Sequence, residues 1–250
     1  MRTTLCASQH SVEVTRLCSN ALQQILARSQ GSFSMADGFC DGHAEPGNSE
    51  HDCEMAANSI DYVTRPLTPR TWNAFAKLVE ANNGVWGGCW CIGFHPEGLP
   101  NGCTVERNRL LKQQHVESGT VHQILVYDGD ECVGWCQYGS PSELPNIKNP
   151  GSYAKDLAGL PDWRIGCIFT GGLHRGKGVA RAAVAAALDA IRAAGGGIVE
   201  AYPEQVEDRP PQRGAYLHTG PESLFADFGF VRDRKVAKWR WVMRLDVPAE

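Results

Sequence analysis

Between Thr170 and Ala180 the chain reads TGGLHRGKGVA, four glycines interleaved with His174, Arg175 and Lys177. Glycines let a loop turn several backbone N–H groups toward one point. A helix that starts at such a loop adds partial positive charge. The chemistry these residues suit is the binding of phosphate. Spacing then sorts the known phosphate loops. A Walker A loop, GxxxxGK[ST], fails because Gly178 follows Lys177 and leaves no hydroxyl for magnesium. A dinucleotide loop, GxGxxG, finds its first two glycines in Gly176 and Gly178 but meets Arg181 in the third place. Its first glycine also lies about six residues beyond the preceding strand instead of at its end. Glu200, about twenty residues on and at a strand end, keeps the dinucleotide reading as an alternative.

A second group of reactive side chains lies in GGCWCIGFHPEGLPNGC. Cys89, Cys91, His95 and Cys103 are the residue types that ligate zinc, but zinc sites use Cys-x2–4-Cys pairs and Cys-x-Cys is a poor match, so no metal is expected. The ten cysteines are irregularly spaced and include no CxxC pair. In a chain of 250 residues they read as free thiols, many of them buried as small hydrophobes. The formal net charge of −4 gives no global basic signature, so nucleic acid is not an expected partner. The apolar stretches are too short and interrupted for a transmembrane helix, and MRTTLCASQHSVEV has no apolar signal region. Both point to a cytoplasmic protein with no membrane partner.

These groups must be positioned by elements. Residues 1–58 read as an N-terminal extension: one amphipathic helix over 16–29, with Leu17, Leu22, Ile25 and Leu26 on one side, then a polar, disordered linker. Met55 is a candidate natural start, which would make the preceding segment an extension of the reading frame. Residues 59–247 read as one domain. IDYVTRPL is a strand. A helix follows, with Thr68 as cap, Pro69 at its first position and Trp72, Phe75, Ala76 and Val79 as its buried stripe. A loop, a second helix over TVERNRLLKQQHVESG and a hairpin around Asp128-Gly129-Asp130 come next. After a Pro/Gly-rich connection, WRIGCIFT (163–170) is a strand. The glycine loop leads into a helix with Ala180, Val184, Leu188 and Ile191 on one face, ended by Gly195 to Gly197. GIVEAYP is a strand and PESLFADFGF a short helix. The last segment makes two strands, and in the second Ala237, Trp239, Trp241 and Met243 alternate with Lys238, Arg240, Val242 and Arg244, so one face is buried. The order β-α-α-β-β-β-α-β-α-β-β gives an α/β fold, a mixed sheet with helices on its faces.

On this frame the loop fits a third phosphate pattern, [QR]xxGx[GA], at every fixed position from Arg175 to Ala180. Here the chain resembles the GCN5-related N-acetyltransferases, the GNAT family. The resemblance extends to the apolar strand before the loop, the Gly229-Phe230 end of the last helix and Val133-Gly134-Trp135 on the third strand. It spans roughly residues 60–246 and implies the GNAT acyl-CoA N-acyltransferase fold. It further implies acetyl-CoA as co-substrate, with donor contacts at Ile168, Phe169, Thr170, Arg175, Gly176, Lys177, Gly178, Val179 and Ala180. The pantetheine arm would pair with exposed backbone of Ile168 to Thr170 like an added strand. The implied activity is direct transfer of an acetyl group to a primary amine of a small molecule or peptide. An acyl-CoA sensor on the same fold is the alternative from another class, and the family also allows a homodimer.

The resemblance fails at the usual proton carriers. The family's glutamate base falls on Arg164 and its tyrosine acid on Phe225. Tyr216, Glu200 and Asp162 are the substitutes, with His218 and Ser223 behind them, and water and backbone donors need no side chain at all. Cys167, in mid-strand, reads as an inert core thiol rather than a nucleophile. Trp86, Trp90 and Phe94 belong to the segment that borders the acceptor in the family and are expected to line that pocket.

Overall fold

The computed structural model describes residues 61–207, 209–210 and 217–250, all within one unit, Ala56–Glu250. In chain order they form β1 (Val63–Pro66), α1 (Trp72–Ala81), α2 (Val105–Glu117), β2 (His122–Asp128), β3 (Glu131–Gly139), α3 (Pro150–Ala154), β4 (Trp163–Thr170), α4 (Val179–Ala193), β5 (Gly197–Ala201), α5 (Glu222–Ala226), β6 (Val231–Ala237) and β7 (Arg240–Val247). A short 3-10 turn, Gly172–His174, sits inside the glycine loop. The strands make one seven-stranded sheet in the order β1-β2-β3-β4-β5-β7-β6. Every neighbouring pair is antiparallel except β4 with β5. The expected helix over 16–29, the linker, Met55, and Cys6, Cys18, Cys40 and Cys53 lie outside the described residues.

Strand residues point alternately to the two faces of a sheet, and β2 shows both faces covered. Ile124 and Val126 join Val184, Leu188 and Ile191 of α4 in one core. Leu125 and Tyr127 join Trp72, Phe75 and Val79 of α1 in the other. Burying each such aliphatic side chain stabilises the fold by about 1.5–3 kcal/mol. The α4 face also carries Ala183 and Ala187, fully buried. Small residues there let the helix lie close on the sheet, and Val179 at its start meets Gly134 of β3. A Cβ built on Gly134 would stand 2.5 Å from Val179 Cγ1 and 2.6 Å from the Phe169 carbonyl, so only glycine fits.

Four expectations are corrected. The first helix is capped at Thr71 and begins at Trp72, not at Thr68 and Pro69. The Thr71 hydroxyl accepts the Thr68 N–H at 2.8 Å and donates to the Pro66 carbonyl at 2.8 Å, so the segment after β1 closes as a turn before the helix can start. The connection after β3 contains α3, a single turn with Pro150 at its start, which brings buried Tyr153 to the sheet. Lys238 and Trp239 form the turn between β6 and β7, so β7 starts at Arg240. The face Ala237-Trp239-Trp241-Met243 is therefore not one buried stripe: Arg240 and Val242 are buried, and Trp241 lies half-buried under Arg232 and Lys235.

No helix among the described residues is long and apolar enough to cross a membrane.

Candidate active site

β4 and β5 run parallel only from Trp163↔Val199 through Arg164↔Glu200 to Ile165↔Ala201. Beyond Ile165, β4 continues to Thr170 with β3 alone on its flank, and the β3–β4 register shifts between Cys136 and Tyr138. A bulge at this point bends the pair and helps the strand depart from its parallel neighbour. The gap between the departing strand and the last helix is a cleft of about 410 Å³. Ile168, Phe169, Thr170, Arg175, Gly176 and Ala180 line one side, and Leu217, Gly220, Pro221 and Leu224 the other.

The glycine loop forms the mouth of this cleft. Gly176 and Gly178 have φ of 72° and 87°, the left-handed region, and Gly178 is the residue that starts α4. No atom lies within 4 Å of a Cβ built on either. Glycine is needed here for its backbone angle, and the space above the two residues is open. Of the nine residues expected to touch a donor, six line the cleft. Lys177, Gly178 and Val179 do not: the Lys177 carbonyl accepts the Tyr62 hydroxyl at 3.0 Å, and Val179 is buried against the sheet. The expectation of a bare β4 edge is also narrowed, because the Ile168 N–H already donates to the His218 carbonyl at 2.7 Å.

A second cavity, of about 330 Å³, opens on the α1–α2 side of β4. Its walls come from the loop after α1, which the sequence NNGVWGGCWC folds in an unusual way. Six consecutive residues, Asn83 to Gly88, have positive φ, and Trp90 and Cys91 follow. For Val85 (φ 56°) this is a strained backbone that only surrounding contacts sustain. Val85 is buried, its carbonyl accepts the Cys89 N–H at 2.8 Å, and the Gly84 carbonyl accepts the Trp90 N–H at 3.1 Å. The turn aims Trp86 toward β4, where its ring meets Phe169 edge-on. Phe94 lies over Gly166, where a Cβ would come within 3.2 Å of the ring. Of the three aromatic residues expected to line an acceptor pocket, Trp86 and Phe94 line this cavity, whereas Trp90 is buried in the core, stacked on Trp72 at 5.9 Å. Cys89, Cys91 and Cys167 also face the cavity, with the Cys91 and Cys167 sulfurs 3.5 Å apart. Burial holds the Cys91 thiol well above its ordinary pKa and raises that of Cys89 to about 11. Among the described residues no three His, Cys, Asp or Glu side chains are grouped to hold a metal ion.

The two cavities share Trp86 as a wall, and they draw on neighbouring residues in Cys167-Ile168 and in Leu217-His218. Residues 90–220, more than half of the chain, match the model of the acetyltransferase (GNAT) family. The chain belongs to the GNAT acetyltransferase family.

Among solved structures the chain is similar to an N-acetyltransferase from Staphylococcus aureus Mu50, at 14% identity over 75% of this chain and 99% of that one, with a TM-score of 0.44. It is similar to yncA from Salmonella typhimurium, an acetyltransferase with its cofactor acetyl-CoA, at 13% identity over 76% and 95%, TM-score 0.44. A ribosomal-protein-alanine N-acetyltransferase from Brucella melitensis is similar at 15% identity over 74% and 99%, TM-score 0.44. No curated protein matches.

Within this GNAT domain the expected proton carriers are placed elsewhere. Asp162 stands at the opposite end of β4 from the cleft, where its carboxylate accepts the Ile198 N–H at 2.7 Å and clamps β4 to β5. Glu200 is fully buried, not an exposed strand-end carboxylate, and lines neither cavity. It accepts hydroxyls from Tyr153 at 2.7 Å and Tyr202 at 3.1 Å and pairs with Arg234 at 3.4 Å. Arg164 stands beside it, donating to the Leu144 carbonyl at 2.7 Å and to Tyr153 at 3.2 Å. Glu200 and Asp162 are thus parts of the frame. Phe225 is fully buried against Phe230, and Ser223 is exposed outside both cavities. Tyr216 lies outside the described residues. Among the described residues the fold brings His218 to the seam: half-buried in the wall of the second cavity, its ring lies 6.3 Å from Trp86 and 6.1 Å from Phe94. The sequence signal for it was weak, because a histidine in a polar loop has no spacing that fixes which cavity it faces.

Proposed function

We propose that this chain is an acetyl-CoA-dependent N-acetyltransferase that moves an acetyl group directly to the primary amine of a small molecule or peptide. The observation that carries the reading is the junction of two cavities at Trp86, one bordered by the glycine loop and the other by the loop after α1. The cleft suits the donor: open space above Gly176 and Gly178, the guanidinium-bearing Arg175 in its wall, and the start of α4 behind it. Ile168, Phe169, Thr170, Arg175, Gly176 and Ala180 would meet acetyl-CoA directly, with Lys177, Gly178 and Val179 shaping the loop beneath. Acetyl-CoA supplies an activated thioester carbonyl.

The residues of the chain then handle protons. An acceptor amine reaches the site as an ammonium and must lose a proton before its lone pair can attack. His218, at the seam, takes that proton directly or through one water. The attack forms the C–N bond, the nitrogen then releases its second proton to water, and the C–S bond breaks. The leaving thiolate is then neutralised by the proton held on the imidazolium. Cys167, although in the cavity wall, is not needed as a nucleophile in this direct transfer.

Calorimetry with acetyl-CoA and CoA release over a panel of amines test the assignment. Arg175→Glu and Gly178→Val should each weaken acetyl-CoA binding by about tenfold or more, the loss of a charged contact or a strained loop being of that size. Unchanged affinity in both would remove the donor site from this cleft. Tight binding without turnover on any amine would replace the transferase with an acyl-CoA sensor, and binding of NAD alone would overturn both.

A further inference from the structure

The acceptor-side cavity has a one-sided charge. Its apolar surface comes from Trp86, Phe94, Leu99 and Ile147, and no aspartate or glutamate lines it among the described residues. The cation in the wall is Lys148, which makes no ion pair or hydrogen bond among the described residues. Burial first, and then the Arg240 guanidinium, push its pKa below the ordinary value, while Glu204 pulls it back. An anion seated beside Lys148 would relieve that push. A volume of about 330 Å³ is at the small end of ligand cavities, the size of a metabolite rather than of a peptide segment.

We propose that the acceptor is a small apolar amino carboxylic acid, its carboxylate held by Lys148, its hydrocarbon or aromatic body between Trp86, Phe94, Leu99 and Ile147, and its amine turned toward His218. The inference rests on the N-acetyltransferase reading and narrows it. A polyamine or a lysine-rich peptide would place further cations beside Lys148 in a wall that has no carboxylate among its described lining residues, an arrangement that costs affinity on both counts. An uncharged amine would fill the apolar space and leave Lys148 unanswered.

The test measures kcat/KM with acetyl-CoA for leucine, phenylalanine and their longer-chain ω-amino counterparts, for the matching amides, and for spermidine, in wild type and Lys148→Met. Acetyl-CoA binding is followed in parallel by calorimetry. The acids should exceed their amides by about 10- to 100-fold in wild type, as a charge-assisted contact to a carboxylate predicts. Lys148→Met should bring that ratio close to one while acetyl-CoA affinity is unchanged. Equal rates for acids and amides, a ratio that survives Lys148→Met, or preference for spermidine would overturn the acceptor class and leave the transferase standing. Turnover on no amine, or no binding of acetyl-CoA, would overturn both.

Discussion

The ring of His218 lies 6.3 Å from that of Trp86, and Trp86 is the wall between the cleft beside the glycine loop and the cavity beside α1. On the proposed reading a titratable group at this seam would reach an amine on one side and a leaving sulfur on the other. If it moves the proton, His218→Gln should lower kcat by about 10²–10⁴-fold. It should also remove the acidic limb of the pH–rate profile and leave acetyl-CoA affinity within twofold or so, since the donor contacts lie elsewhere. A variant that keeps its acidic limb would assign the proton to another group.

The buried network around Glu200 predicts a stability effect in place of a catalytic one. Glu200 answers Tyr153, Tyr202 and Arg234, with Arg244 at 3.8 Å, and its carboxylate is fully buried. Glu200→Ala strips the partner from these groups and should destabilise the domain by about 3–5 kcal/mol, the usual result of breaking a buried pair. Urea denaturation measures this. The protein that remains folded at low temperature should retain its kcat, whereas a general base would not.

Lys112 is the converse case. Its ammonium is completely buried, has no hydrogen-bond partner among the described residues, and stands 5.9 Å from the centre of the Phe75 ring. Burial drives its pKa down. Lys112→Met keeps the length of the side chain and removes the orphan charge, and should stabilise the fold by about 1–3 kcal/mol. A raised urea midpoint with unchanged slope would show it; a lowered midpoint would mean that Lys112 has a partner in solution.

His95 sets a pH dependence. Its ring is fully buried and stacked on His115 at 4.4 Å, and its Nε2 accepts from the Gln137 amide at 2.8 Å, while the same amide donates to the Cys91 carbonyl. Burial first, then Lys112 and His115, push its pKa down to about 2. The unfolded chain takes up this proton near pH 6.5. Between the two values the unfolded state holds the extra proton, so stability is intact above about 6.5 and falls as the pH drops. The slope approaches 1.4 kcal/mol per pH unit, about 2 kcal/mol by pH 5. His122 opposes this weakly: Glu143 raises its pKa, which favours the fold at low pH, but the pair is partly solvated. Melting temperatures from pH 7 to pH 5 should fall in wild type and fall less in His95→Gln.

The glycine loop, β4 and the stripe of α1 were legible because their signals are local. Trp163–Thr170 is a mostly apolar run interrupted by Arg164, and Trp72, Phe75, Ala76 and Val79 repeat at helical spacing. The loop pattern from Arg175 to Ala180 encodes backbone angles, which depend on the residues themselves. The start of α1 escaped because two hydroxyl residues, Thr68 and Thr71, compete for the cap and the hydrogen bonds of Thr71 to Thr68 and Pro66 decide between them, and the single turn of α3 escaped because it is too short to show a period. The face of β7 escaped because a two-residue turn at Lys238 shifts which side of the strand meets the core.

The residues alone therefore determined the mixed sheet, through periodicity, and the family, through the likeness of the loop and its flanking elements to a known pattern. Only the tertiary structure decided the surroundings of the ionisable groups. Glu200 and Asp162 differ from His218 in nothing that the sequence displays. Register pairing places the first opposite Arg164, in a sheet buried on both faces, and the second at the far end of β4, against Ile198. The departure of β4 from β5 leaves a gap, and His218 comes to its edge. Whether a carboxylate or an imidazole can exchange a proton depends on burial and on its partners, and those are properties of contacts between residues far apart in the chain.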